Sequence, residues 1–368
     1  MPAVDKASIQ PTVSVIVPAR NEEAGLGACL RSLLTQNAVD LEVIVVDDHS
    51  TDHTREIASS MMSNMTSKMI SNSHRQTSAA VSLRLIEAGP LPPGWTGKNN
   101  AVTAGAAVAR GEWLLFTDAD TVHLPGSLAR SLEEAKRHGA ALLSYSPEQI
   151  VDGFWEKAVM PVIFAELAAS FRPSQVSNPN SPAAAANGQY ILITREAYDA
   201  VGGHAAIAGD LLEDVALARA VKRSGRKIFF RYGAGAVRAR MYRSFPQLRE
   251  GWTKNLALLF PAPARLAALR TIEFVLIVAS FAIAIAAAFR GHSQPAAIAG
   301  ALTVILYALF LARIRRAHFR WDATLLALFG LPIFAYLLLR SKKAHAKGAV
   351  PWKGRKYSDK GCLLATDH

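Results

Sequence analysis

The chain has 368 residues, 51% of them hydrophobic, with a formal charge of +12 and only two cysteines, Cys29 and Cys362. That length buries a full core and leaves a second region over, while so few cysteines exclude a disulfide framework or a cysteine metal site and make a reducing, cytosolic face the default. The charge is uneven, with thirteen Lys or Arg from Arg219 to Thr271 against Glu250 alone, and eight from Arg340 to Lys360 against Asp359 alone. Basic clusters beside apolar blocks point to anionic lipid headgroups rather than to nucleic acid.

The opening MPAVDKASIQP has no apolar h-region, so no signal peptide is expected. Val13 to Val17 reads as a β-branched strand ended by Pro18, followed by a helix with apolar positions Leu26, Leu30, Leu33 and Leu34. Leu41 to Val46 is a second strand, closed by Asp47 and Asp48, after which Ser50 or Thr51 is placed to cap a helix. This alternation predicts βαβ units and a mostly parallel sheet with helices on both faces. Residues 59–82, rich in Ser, Met, Asn and Thr without a period, read as a low-complexity insertion, either a solvent loop or a helix extension. A third strand, Leu83 to Glu87, leads through the stiff GPLPPGWTGK to a helix of small residues, Asn100 to Ala109. Trp113 to Phe116 is an unalternated apolar run, as expected of a strand buried on both faces, and it stops at Asp118 and Asp120. Further elements are a helix from Leu124 to His138 with Glu133 and Glu134 facing out, strands at Ala140 to Tyr145 and Tyr190 to Thr194, and a helix from Glu213 to Ser224. Phe154 to Phe171, with an internal Pro161, reads as an interfacial helix or a lid.

Three apolar blocks follow, 274–289, 295–312 and 323–339, each near the ~17–25 residues that span a bilayer. The expected organisation is a catalytic domain at 1–252, an interfacial linker at 253–273, a membrane domain at 274–339 and a basic tail at 340–368. The loop holding Arg313 to Arg320 is more basic than the one holding Arg290, which places the catalytic half and that second loop in the cytoplasm. Three full crossings would then put the basic tail outside, against the same rule. A re-entrant or interfacial third block, interrupted by Pro332, resolves the conflict.

Four acidic clusters sit at loop positions: PARNEE (Pro18 to Glu23), Asp47-Asp48, Asp118-x-Asp120 and Glu213-Asp214. Any one of them is explained by a cap or a solvated turn. Together, VSVIVPARNEE, VIVVDDHSTD, GWTGKNNA, FTDAD and LLEDVALA resemble the family 2 glycosyltransferases of the GT-A fold from about Thr12 to Trp252. GWTGK and the tail PWKGRKY are most similar to lipid-directed members acting on hopanoids, carotenoids or ceramide. No Gly-x-Gly-x-x-Gly follows the first strand, so a dinucleotide dehydrogenase is not supported.

The resemblance implies a GT-A catalytic domain followed by transmembrane helices, in an integral membrane enzyme of the kind found in bacterial inner membranes. It also implies an inverting transfer from a nucleotide-sugar donor, UDP-linked by preference, to a lipid acceptor. Pro18, Ala19, Arg20, Asn21, Glu22, Asp47 and Asp48 would form the nucleotide pocket. Lys98 would meet the diphosphate, Asp118 the ribose or metal, and Asp120 a divalent ion, Mg²⁺ or Mn²⁺, which hard carboxylate oxygens suit. Asp214 is the candidate general base, oriented by Glu213; the alternative for this pair is that of acids favoured at a helix N-terminus. Gly188, Gln189, Arg240, Arg243, Arg249 and Trp252 are weaker candidates for acceptor or diphosphate contact. Polysaccharide synthases of the family carry Gln-x-x-Arg-Trp where this chain has Gln247-Leu-Arg-Glu-Gly-Trp252, a departure that favours single transfer over processive synthesis. The competing readings are a polyprenyl-phosphate or polysaccharide glycosyltransferase, and a silent nucleotide-sugar-binding membrane scaffold.

Overall fold

A computed structural model describes residues 11–71 and 80–358. The chain divides into two compact units, one built from residues 11–149 and 173–240 and the other from 150–172 and 241–358. The division therefore falls at 240, twelve residues before the expected boundary, and the segment 150–172 belongs to the second unit.

In the first unit, β1 (Val13–Ala19), α1 (Leu26–Leu34), β2 (Leu41–Asp47), α2 (Thr54–Ser71), β3 (Val81–Glu87), α3 (Gly97–Val108) and β4 (Trp113–Phe116) alternate strand and helix. Then come β5 (Thr121–His123), α4 (Ser127–His138), β6 (Leu142–Ser146) and β7 (Glu148–Gln149). After α5 (Phe154–Ser170), which lies in the second unit, the chain returns through α6 (Pro173–Val176), β8 (Ile191–Thr194), α7 (Arg195–Ala200), α8 (Glu213–Arg223), β9 (Ile228–Tyr232) and β10 (Val237–Ala239). The main sheet has seven strands in the order β3-β2-β1-β4-β8-β6-β9. β3, β2, β1 and β4 run parallel, whereas β8 is antiparallel to both β4 and β6, so the sheet is mixed. Every residue of β2 and β4 is buried, as unalternated apolar strands require. The small-residue helix α3 packs so close that a Cβ on Gly105 would lie 2.6 Å from Ile16 Cγ2.

Several local expectations are corrected. Pro18 does not end β1, which pairs with β2 as far as Ala19. The Thr117 amide donates to the Ile16 carbonyl, so Pro18, two residues on, faces the side where β4 has already stopped and its missing N–H costs no ladder bond. Ser50 and Thr51 do not cap α2; Asp52 does, accepting from the Thr54 amide at 3.0 Å. The helix-extension reading holds for 59–71, with Met61, Met62 and Met65 packed on the core, while 72–79 lie outside the described residues. Glu134 faces inward, bonded to Arg231 at 2.8 Å and to the Tyr145 hydroxyl. The short strands β9 and β10 were not among the expected elements, although Ile228-Phe-Phe-Arg-Tyr232 is a strand-forming run shortly after Gly225.

The second unit joins α5 to α9 (Phe245–Leu259), α10 (Pro263–Phe289), α11 (Ser293–Ile314), α12 (Trp321–Ala346) and a hairpin of β11 (Val350–Trp352) and β12 (Arg355–Tyr357). α10, α11 and α12 are each long and apolar enough to cross a membrane. Neither Pro161 nor Pro332 interrupts its helix, so the third block is continuous. α5 is a packed member of this unit rather than a lid. Gly330 of α12 comes so near the Ala158 carbonyl that no Cβ could be fitted, and ion pairs tie Lys157 to Asp322 and Glu166 to both Arg270 and Arg313.

Candidate active site

The C-terminal ends of β1, β2 and β4 open into loops at one edge of the sheet, the usual ligand edge of such folds. The loop after β1 is sewn to the loop after β2 almost entirely through main-chain amides. Asn21 N–H donates to Ser50 Oγ at 3.1 Å, Thr51 N–H to Asn21 Oδ1 at 2.9 Å, and Glu22 N–H to Thr54 Oγ1 at 2.7 Å. Asn21 pays for this with a φ of 53°, a conformation its short polar side chain tolerates. Arg20 donates to the Asp48 carbonyl at 2.6 Å, and buried Asp47 accepts from the Ser50 amide at 3.2 Å. The expected nucleotide residues thus form one braced wall, with Pro18 lining the adjoining cleft.

The second wall is charged. Thr96 caps α3 through the Asn99 amide at 3.2 Å, which sets Lys98 in the first helical turn. From there its ammonium lies 2.7 Å from Asp118 and 2.6 Å from Glu213. Gly188 N–H donates to Asp214 Oδ2 at 3.0 Å, and the Val215 amide to Oδ1 at 2.8 Å. A Cβ on Gly188 would come within 2.9 Å of Lys98 Nζ, so a larger residue here would push the lysine's flexible tip aside. The Gln189 amide is 3.3 Å from each oxygen of Asp120 and takes its own orientation from Gln149 at 3.1 Å. Gly25 lets α1 approach the same loop, since its Cβ would sit 2.9 Å from the Ala119 carbonyl.

The electrostatics follow from this crowding. Burial, and then the neighbouring Glu213, push Asp214 up to about 6, against the pull of Lys98 and the two amides. Burial pulls the Lys98 ammonium down, but Asp118 and Glu213 outweigh it and hold it well above the ordinary lysine value. His204 is buried against Tyr198 and Phe116 and lines the cleft. Burial lowers its imidazole to about 4, so it is neutral at pH 7.

Asp118 and Asp120 present hard anionic oxygens one residue apart, and no group of three His, Cys, Asp or Glu gathers among the described residues. That donor set fits a divalent ion whose remaining positions are filled by water and phosphate. The positive charge now standing at Asp118 is that of Lys98, which is consistent with a site that attracts cations.

The remaining candidates divide between the two units. The Arg240 amide donates to the Asp120 carbonyl at 3.2 Å, which brings its backbone to the site. Arg243, Arg249 and Trp252 belong to the second unit. Trp252 is buried there with its indole N–H 3.4 Å from Met160 Sδ, a core packing position. Sequence reading passed over Asn99, whose buried side-chain amide donates to the carbonyls of Ile207, Ala208 and Asp210 and so fixes the approach to Glu213. The available signal was an amide residue at the buried start of a helix otherwise made of small apolar residues.

Comparison with known proteins agrees with this architecture. Over 354 residues the chain is 27% identical to 4,4'-diaponeurosporenoate glycosyltransferase of Staphylococcus aureus strain USA300, covering 94% of this chain and 88% of that protein. The enzyme of the same name from strain MRSA252 is 28% identical over 357 residues, with the same coverage. Among solved structures, the mannosyltransferase PcManGT from Pyrobaculum calidifontis, in complex with GDP-Man and Mn²⁺, superposes with a TM-score of 0.53 at 17% identity, covering 92% of this chain and 87% of that one. That likeness shows the GT-A fold. The profile of the family described as Glycosyltransferase like family 2 matches residues 11–250, and the chain belongs to that family of glycosyltransferases.

Proposed function

We propose that this protein is an integral membrane enzyme that transfers a sugar, with inversion, from a nucleotide diphosphate donor to a lipid acceptor. The observation that carries the reading is Lys98, which touches Asp118 of the donor wall and Glu213 of the acceptor pair at once, so that both lie in one cleft. The relatives, 4,4'-diaponeurosporenoate glycosyltransferases, support an apolar, lipid-like acceptor. The long apolar helices support delivery from a membrane.

In this reading the braced loop from Pro18 to Glu22, with Asp47 and Asp48, binds the base and ribose; a UDP-linked donor is preferred. Asp118 and Asp120 would hold a divalent ion, which would supply positive charge beside the diphosphate. Lys98 adds a second positive charge on the leaving-group side. Asp214 accepts the proton of the acceptor hydroxyl, its carboxylate fixed by the amides of Gly188 and Val215. Glu213 keeps Lys98 in place. A base facing the sugar opposite its leaving group gives inversion at the anomeric carbon.

The test is a panel of UDP- and GDP-sugars offered with Mg²⁺ or Mn²⁺ and membrane lipid extract, read by mass analysis of the lipid products. The expected result is one glycosylated lipid. A product that is a polymer or a polyprenyl phosphate sugar would replace the acceptor assignment, and donor binding without any product would favour the scaffold. In the same assay Asp120→Ala loses metal-dependent donor binding, seen by calorimetry, which separates the metal role from turnover.

A further inference from the structure

The three long apolar helices are not alike. The most apolar window of α12 is 50% buried, against 11% in α10 and 11% in α11. α10 and α11 pack as a hairpin, with Ser280 and Thr303 hydroxyls joined at 2.9 Å between them. The near end of that hairpin, where α10 begins and α11 ends, is marked by Arg270 and Arg313, which share the carboxylates of Glu166 and Glu273. The far end is the turn at Arg290 to His292.

Both ends of α12 are held by partners from the near end. At its start, six residues after α11 stops, Asp322 is paired with Lys157 at 2.8 Å. Toward its finish, Ser341 Oγ donates to the Thr253 carbonyl at 2.7 Å and accepts from the Ala257 amide at 2.9 Å, and His345 meets the Lys254 carbonyl at 2.9 Å. These partners are in α9, which runs into α10 across three residues. α9 carries Arg249, Glu250 and Lys254 and, at about 1.5 Å per residue, is too short to cross a ~30 Å hydrocarbon core. Thr253 and Lys254 therefore cannot lie beyond the far end of the hairpin, and neither can Ser341 and His345. The hairpin that follows stays with α9 too, the Lys353 amide donating to Glu250 at 2.9 Å and Lys254 lying 4.7 Å over the Trp352 ring.

The exposed side of α12 fits a membrane surface. Trp321, Leu325, Phe329, Tyr336 and Leu339 fall on one stripe at helical spacing, all of them exposed. Phe329 adjoins exposed Phe154 at 6.5 Å. Residues 340–358 bring seven Lys or Arg and no acid to the end of that stripe. An apolar stripe next to a basic cluster is the composition of a helix lying in the headgroup region of an anionic membrane.

We propose that α10 and α11 alone cross the bilayer, and that α12 lies along the membrane face from which α10 starts, setting residues 340–358 on anionic headgroups. The basic tail then shares a face with the basic loop Arg313 to Arg320, and the positive-inside conflict of three crossings disappears. Pro332 has no part in this, because the helix is continuous.

The test uses the full chain with Cys362→Ser, carrying either His292→Cys or Ser358→Cys, and a membrane-impermeant maleimide on right-side-out and inverted vesicles; Cys29 is buried. The two sites are expected to react in opposite vesicle orientations. Reaction in the same orientation would mean that α12 crosses and would overturn the assignment. For the headgroup contact, an environment-sensitive dye on Ser358→Cys in lipid nanodiscs is expected to shift when anionic lipid replaces zwitterionic lipid. Lys342→Gln, Lys343→Gln and Lys347→Gln together should reduce that shift about twofold or more. A dye spectrum that ignores lipid charge would overturn the contact.

Discussion

Two clusters of charged side chains do opposite things in this molecule. In the first unit, Lys98 bridges Asp118 and Glu213, with Asp120 and Asp214 close by. In the second, Arg270 and Arg313 are matched one for one with Glu166 and Glu273, from α5, α10 and α11. The second set pairs its charges and ties α5, α10 and α11 together. The first set gathers four carboxylates at a cleft, where burial, and then the charge of Glu213, raise Asp214 to about 6. A carboxylate raised in this way, and fixed by the amides of Gly188 and Val215, is what a site for proton transfer needs.

Substitutions can sharpen that contrast. The largest effect is expected from Asp214→Asn, which keeps the shape and removes the base: turnover should fall about a hundred- to ten-thousand-fold, with donor affinity unchanged by calorimetry. Next is Glu166→Gln, which leaves two arginines with one carboxylate. Stability should drop by about 3 kcal/mol, seen as a lower thermal midpoint in detergent, while donor binding persists. A loss of donor binding there instead would break the division of roles.

Lys98→Met gives a smaller and more specific result. Asp214 acts as a base only when ionised, so activity should rise with pH through about 6 in the native enzyme. Lys98 lowers that value, so its removal should move the acidic limb of the pH profile upward, alongside weaker donor binding. The smallest change is expected from Gly188→Ala, whose Cβ would press the flexible tip of Lys98 from 2.9 Å. Turnover should fall by about tenfold or less, with the folded state retained by circular dichroism.

The elements of the first unit were legible where the apolar pattern was long and closed by turn residues, as in β2 and α8, and the four acidic clusters were visible as residues at strand or helix ends. What could not be seen was direction and partner. β8 reads like any other apolar strand, yet it runs antiparallel, and only the sheet shows that this sets Gly188 and Gln189 beside Asp214 and Asp120. Glu133 and Glu134 are neighbours in one helix, but Arg231 on β9 decides that the second of them faces inward. Trp252 looked like part of a family signature and is a core residue beside Met160.

By itself, the sequence determined the α/β class, the family, the loops that carry carboxylates and the presence of three helices fit for a membrane, because each rests on local composition and period. Tertiary structure decided which of those carboxylates share Lys98, which charges cancel, and why one apolar helix is half covered while two are bare. Pairings of this kind join residues up to a hundred or more positions apart, and no local pattern encodes which distant side chain fills the space beside another.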